Sequence, residues 1–370
     1  MAAFELIVVG GGVAGSAAAL RAAQYRVRTA WIRGDKDTAR RSRGQWVANI
    51  DNMLGVHEGI VRGKVLRVLK GERFADARQA LQEAGHLHIG TRDLIENAVA
   101  RIQDEGPGVV DLVESAASAV EAFGGGFRVQ TPAGGFDAPA LILATGVMDR
   151  QPAIKRARGE EILDDPKWIY PFANRETVLY CIRCEGHLTA ERRAAVIGAG
   201  EAAAQVALML RERYGSGCCV LTNGEEPSWS ERSGRLLAAE GVSVHRSRIV
   251  EVRGSKGELH ALALEDGSES QVEFALVAMG LHRVYNDLAR QLGAELADPD
   301  QPVELRHVRI DARGETTVPG LFAVGDMATR LDEPVMKQIY TAQEYAVRAV
   351  DVVDSRRRHA RRRKLLGEAG

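Results

Sequence analysis

Hydrophobic positions in this chain come in short, dense runs closed by glycines, a pattern that predicts strands buried on both faces. Residues 4–9 (FELIVV) are such a run, broken only by Glu5. A glycine turn, GGGVAG, follows at residues 10–15, then the small-residue stretch SAAALRAAQ, which predicts a helix, then a second strand over residues 27–32. The same order begins again at Ala194: strand AAVIG, turn GAGEAA at residues 198–203, helix QVALMLRERYG, strand CCVLTN. Each unit continues into short alternating segments around Gly and Pro turns, over residues 109–146 and 249–280, closing on ALILATG and ALVAMG.

This loose internal duplication predicts an α/β fold class: two Rossmann-like three-layer nucleotide-binding domains, each with an antiparallel meander, the second inserted in the first. The expected boundaries are residues 1–150 and 283–355 for a discontinuous first domain and 151–282 for the second. Residues 147–190 make the crossing, where Pro152, Pro166 and Pro171 mark irregular connections. After Gly280 the pattern predicts a helix over 286–296, the strand GLFAVGD and a long helix over 335–353, leaving 356–370 as a basic tail.

The first turn carries chemistry as well as geometry. Gly10, Gly12 and Gly15 have the G-x-G-x-x-G spacing. The first glycine allows the tight turn, the second lets backbone approach a pyrophosphate, and the third lets helix and strand pack closely. Phosphates then meet free N–H groups at a helix N-terminus. Gly198, Gly200 and Ala203 form the G-x-G-x-x-A variant in the same strand–turn–helix context. In Gly325-Asp326 a buried strand ends on a carboxylate, which suits either a cofactor at the carboxyl end of a sheet or a helix cap.

Two of the four cysteines stand three apart in LYCIRCEGHL. By spacing alone Cys181 and Cys184 suit a redox disulfide, two metal ligands with His187 as a third, or two inert thiols. Cys218 and Cys219, adjacent on a predicted buried strand, are expected core thiols, and His86 and His88 an unpartnered loop pair.

Composition narrows the setting. The chain has 370 residues, 45% hydrophobic and 27% charged, with formal net charge −1. That balance offers no global field for nucleic acid, and no apolar run is long enough for a membrane span, so neither partner is expected. Four cysteines make no disulfide scaffold. MAAFELIVVGGG enters a strand without a basic stretch, apolar run and cleavage site, so a cytoplasmic enzyme is the expectation. The charge is unevenly spread: residues 355–370 carry six Arg and one Lys against one Glu, a net of +6, leaving about −7 elsewhere. A solvated helix end is the plain expectation there.

Taken together, VVGGGVAG, LILATG, CIRCEGH followed by AVIGAG, and TTVPGLFAVGD resemble the low-molecular-weight thioredoxin reductases and their relatives, in order and over nearly the whole chain. The resemblance implies a flavoprotein disulfide oxidoreductase, a homodimer with FAD on the domain made of both chain ends and NAD(P)H on the inserted one. It implies that Gly10, Gly12 and Gly15 hold the FAD pyrophosphate and that Gln45 and Asn52, in RGQWVANIDNMLG, contact flavin. Asp326 would bind the ribitol chain, and the backbone of Lys337-Gln338-Ile339 would face the flavin pyrimidine edge. Thr145, Gly146 and Gly325 lie in the same cofactor-binding motifs, and Gly198, Gly200 and Ala203 would serve the nicotinamide nucleotide. Cys181 and Cys184 become a redox disulfide carried on the inserted domain. Cys184 would be nearer the flavin, Cys181 would attack the substrate, and Glu185 would act as general acid.

One departure bears on the donor. NADPH-dependent members of the resembled family place an arginine cluster after the second strand of the inserted domain, where this chain has NGEEP at 223–227. Glu225 or Glu226 could accept ribose hydroxyls, so NADH is favoured over NADPH. The expected acceptor is a thioredoxin-like protein or a small disulfide. Two alternatives stay open: a flavin-dependent dithiol oxidase using oxygen, and a non-catalytic flavin-binding protein.

Overall fold

The computed structural model describes residues 4–47, 50, 52–54, 56, 58–83, 89–158 and 161–367. His86 and His88 lie outside the described residues. The chain divides into two compact units: Met1–Gln45, Thr91–Met148 and Leu281–Gly370 form one, and Trp46–Gly90 with Asp149–Gly280 the other.

Five parallel strands build the first unit's sheet, in the order Leu321–Ala323, Leu141–Leu143, Leu6–Val9, Thr29–Ile32, Val110–Val113. Leu6, Ile7, Val8, Leu141, Ile142, Leu143, Leu321 and Phe322 are completely buried, which explains why these strands lack alternation in sequence. Three helices, Val13–Gln24, Thr91–Glu105 and Ile339–Leu366, pack as one layer, with Val13–Gln24 against the other two. Its alanines at 18, 19, 22 and 23 are fully buried and permit that approach. The meander Ala119–Phe123, Gly126–Thr131, Gly134–Ala138 supplies Val120, Phe127 and Val129 to the same core.

The second unit repeats this plan. Its parallel sheet runs Val178–Leu179, Phe274–Val277, Arg193–Ile197, Gly217–Leu221, Ser243–His245. Helices Glu201–Tyr214 and Glu231–Ala239 pack together, and Ile249–Ser255, Glu258–Leu264 and Glu269–Gln271 form the meander. The unit also carries a hairpin, Ile154–Arg158 with Glu161–Asp165, and the helices Glu58–Val68 and Ala75–Glu83.

Three details differ from the pattern-based expectation. Residues 46–90 group with the second unit rather than with the chain's first domain. The helix expected over 286–296 is only Asp287–Gln291, because Gly293 turns the chain at φ +77°. The last helix begins at Ile339 rather than 335 and continues past 353 to Leu366, so the basic segment is the exposed end of that helix, as its charge run suggested. Ion pairs of Arg356 with Glu315, Arg357 with Glu5, and Arg358 with Asp354 hold that extension. No helix among the described residues is long and apolar enough to cross a membrane.

Candidate active site

In the first unit the carboxyl ends of three neighbouring strands converge. Leu6–Val9 ends in the glycine turn, Leu141–Leu143 in Thr145-Gly146, and Leu321–Ala323 in Gly325-Asp326. A Cβ on Gly10 would lie 2.2 Å from the Ala144 carbonyl oxygen, and one on Gly15 would lie 2.0 Å from that of Gly10. Those two glycines are therefore required by packing. Gly12 is different: it is exposed, and a Cβ there would meet nothing within 4 Å. Helix Val13–Gln24 starts directly after it with no side-chain cap and no acid in its first turn. Open space, free N–H groups and the positive helix end suit a diphosphate, so these residues fit FAD. The second strand offers no ribose acid at its end: Arg33 follows it, and Asp35 caps the next helix through the N–H groups of Asp37 and Thr38.

Asp326 lies in a 3-10 turn, Gly325–Met327, and its carboxylate accepts from Arg43 at 2.5 Å. Both side chains are about a quarter exposed. Arg43 sits in the same turn as Gln45, so this ion pair ties that turn to the third strand end. Lys337 donates to the Ala328 carbonyl at 2.5 Å, and burial pulls its ammonium down to about 8 although Asp326 opposes the shift. Gln338 is the buried N-cap of the last helix and Ile339 its first residue. Thr145 donates to the Tyr285 carbonyl at 2.6 Å, which orients the loop at Gly146. The first unit thus gathers the expected FAD residues on its own segments, with the exception of Asn52, which belongs to the other unit.

In the second unit Cys181 and Cys184 form a disulfide, with Cα atoms 5.2 Å apart. They lie just past the edge strand Val178–Leu179, whose place in the sheet is the one Leu321–Ala323 holds in the first unit. The dithiol therefore occupies the position that carries Asp326 in the other unit. Cys181 caps the short helix Ile182–Glu185: its Sγ accepts from the Cys184 N–H at 3.2 Å. Gly186 permits the close fit, since a Cβ there would stand 2.8 Å from the Tyr214 ring. Glu185 is buried, and its carboxylate accepts from the Tyr180 N–H at 3.4 Å. The Tyr180 hydroxyl bonds Gln151, and burial, with Asp149 adding, holds its phenol protonated well above the usual range. Tyr180 and Gln151 carried no motif signal, although Tyr180 adjoins the first cysteine.

Other expected residues are accounted for there. Cys218 and Cys219 lie on Gly217–Leu221, half-buried, and burial pushes the Cys218 thiol up to about 12. Among the described residues, no group of three or more His, Cys, Asp or Glu is placed to hold a metal ion. At the second glycine turn, a Cβ on Gly198 would lie 2.4 Å from the Ala278 carbonyl oxygen. Gly198 and Ala203 are buried and Gly200 half-buried. Ala199 is buried too, and its carbonyl accepts from the Ser228 N–H at 2.7 Å. Glu201 holds the same loop, accepting from the Ser230 N–H at 2.7 Å and the Ser233 hydroxyl at 2.6 Å. These bonds, Ser233 first, lower its carboxyl to about 2. Glu225 pairs with Arg150, and Glu226 with Arg246 at 3.1 Å.

Residues 4–346 match the family model of pyridine nucleotide-disulphide oxidoreductases. The chain belongs to that family. An alkyl hydroperoxide reductase subunit from Pseudomonas putida is 28% identical over 341 residues, covering 88% of this chain and 54% of that protein. Its Pseudomonas aeruginosa namesake is 25% identical over 331 residues, with the same two shares. The chain thus spans about half the length of these curated relatives. Among solved structures, thioredoxin reductase from Streptococcus pyogenes superposes with a TM-score of 0.69 at 20% identity, covering 95% of this chain and 97% of that one. At that identity the likeness concerns the fold, which is the two-domain thioredoxin reductase type. The chain is accordingly an oxidoreductase of the pyridine nucleotide-disulphide family, which in general implies FAD and NAD(P)H.

Proposed function

We propose that this enzyme passes two electrons from NADH, through FAD on the first unit and Cys181–Cys184 on the second, to the disulfide of a thioredoxin-like protein or small molecule. The net reaction balances as NADH, one proton and a disulfide giving NAD⁺ and two thiols. The observation that carries the reading is a cysteine pair closed into a disulfide at a strand end, in a family of flavin-linked disulfide oxidoreductases. A bound flavin supplies the two-electron relay between nicotinamide and sulfur. Reduction breaks the Cys181–Cys184 bond. The Cys184 N–H then favours a thiolate at Cys181, which attacks one substrate sulfur and expels the other as a thiolate. Glu185 gives that leaving sulfur its proton. Attack by the Cys184 thiolate on the Cys181 sulfur expels the second substrate sulfur as a thiolate, which takes a proton from solvent, and restores the disulfide. The relatives are named as subunits of a reductase, which supports a protein acceptor. A cytoplasmic homodimer is the proposed setting.

The preference for NADH rests on Glu225 and Glu226 in the loop after Gly217–Leu221, where acids repel a 2′-phosphate. One observation favours a second reading. Ser228 bonds the carbonyl of Ala199 inside the second glycine turn, which narrows room for a nucleotide. A dithiol oxidase, with substrate thiols as donor and oxygen as acceptor, would need no nucleotide there. Anaerobic titration separates the two. Bleaching of flavin by NADH at lower concentrations than NADPH supports the reductase; bleaching by a dithiol alone, with oxygen uptake in air, supports the oxidase.

A further inference from the structure

The last helix ends in a charged segment that the redox reaction does not use. Its arginines divide into two groups. Arg356, Arg357 and Arg358 are neutralised within the chain by Glu315, Glu5 and Asp354, at 2.6, 3.0 and 2.7 Å. The next turn holds Arg361, Arg362, Arg363 and Lys364, all exposed, and among the described residues no carboxylate pairs with them. Two leucines follow, Leu365 at 76% and Leu366 at 72% exposure. Helix geometry places Leu365 over Arg361 and Leu366 over Arg362, one turn apart. The end therefore presents an apolar pair flanked by cations, with Arg363 and Lys364 round the far side. Arg363 and Lys364 also favour the helix C-terminus through its dipole, but that effect reaches only the last turn and gives no role to exposed leucines.

Net charge hides this arrangement, because the +6 of residues 355–370 nearly cancels about −7 elsewhere. We propose that the segment from Arg361 to Leu366 is a peripheral docking element for an anionic lipid surface. Four cations without a carboxylate partner among the described residues supply attraction to acidic headgroups, and the two leucines supply apolar contact at the headgroup boundary. Charge alone suits any polyanion; the leucines favour a bilayer over nucleic acid or an acidic protein. The expectation of no membrane partner came from net charge and the lack of a spanning segment, and neither bears on a surface contact.

The test is cosedimentation of the full chain, loaded with its flavin, with phosphatidylcholine vesicles containing or lacking phosphatidylglycerol. Binding is expected only to the anionic vesicles and is expected to fall as salt rises from about 50 to about 300 mM, as the Debye length shortens. Replacing Arg361, Arg362, Arg363 and Lys364 together by Gln is expected to weaken it by roughly several hundredfold, at about fivefold per cation. Leu365→Ser with Leu366→Ser is expected to weaken it by roughly tenfold or more while leaving salt dependence in place. Unchanged far-UV circular dichroism and flavin content exclude misfolding. The proposal is overturned if wild type ignores anionic vesicles at low salt, or if the four-Gln variant binds as well as wild type. It is equally overturned if the leucine variant binds vesicles unchanged, or if duplex DNA or polyglutamate binds as tightly as the vesicles.

Discussion

The two units share one architecture and put different chemistry at the same address. Each has a five-stranded parallel sheet, a glycine turn after its central strand, and a three-stranded meander. At the edge strand the first unit ends in Gly325-Asp326, a carboxylate held by Arg43. The second ends in Tyr180-Cys181, followed by the disulfide. The glycine turns diverge as well. Gly12 opens on empty space, whereas Gly200 has Ser228 as its neighbour and Ala199 is covered. The first turn leaves room for a cofactor's diphosphate; the second, crossed by its own loop, leaves less room for a nucleotide. The lesson is that fold sets where ligands bind, and a few side chains at the strand ends decide which.

Substitutions at equivalent places put that contrast to the test. The largest expected effect is at the dithiol. Cys184→Ser should abolish disulfide turnover while leaving flavin reduction by NADH intact, as read by single-turnover absorbance and steady-state assay; surviving turnover would remove the pair from the mechanism. Next comes Gly12→Val, whose Cβ meets no protein atom within 4 Å; it should leave the fold unchanged but strip the flavin absorbance. Gly15→Val, pressed into the Gly10 carbonyl, should instead unfold the unit, as seen in its thermal midpoint. Glu185→Gln should slow disulfide turnover by roughly a hundredfold, within the usual range for a lost general acid, with flavin reduction unaffected. Glu226→Ala should raise KM for NADH by roughly tenfold, as loss of one hydrogen bond to a charged group would do, and should lower that for NADPH because an acid facing its 2′-phosphate is gone.

The smallest effect concerns Lys337. Burial lowers its ammonium to about 8 in the folded chain, against about 10.4 unfolded. Between those values the unfolded chain binds more protons, so this group makes stability rise with pH across that window and applies its full penalty below it. Lys337→Met should flatten the rise in denaturation midpoint from about pH 8 to about pH 10. An unchanged slope would show that the ammonium is solvated.

Much of this was legible because the sequence repeats its own logic. Gly10 and Gly15 are fixed by backbone contacts that admit no Cβ, so their spacing survives as a readable motif. Strands buried on both faces leave unbroken apolar runs, and Leu141–Leu143 and Leu321–Ala323 stood out for that reason. Other features left no local trace. Arg43 and Asp326 are 283 residues apart, and nothing near either one announces the pair. Residues 46–90 joined the second unit, where Trp46 stacks on Tyr170 at 4.7 Å, a tertiary contact invisible to periodicity. The exact length of the last helix was not readable from periodicity, because its charged end shows no apolar period; that end is held by Arg357 reaching Glu5 across the fold.

The central claim is that electrons entering from a nucleotide emerge at Cys181 and Cys184, and at no other sulfur. Anaerobic incubation of the flavin-loaded protein with NADH, then rapid alkylation and peptide mass spectrometry, measures this directly. The account predicts two newly labelled thiols, Cys181 and Cys184, with Cys218 and Cys219 slow because burial keeps their thiols protonated. Bleached flavin with the Cys181–Cys184 disulfide still closed would contradict it.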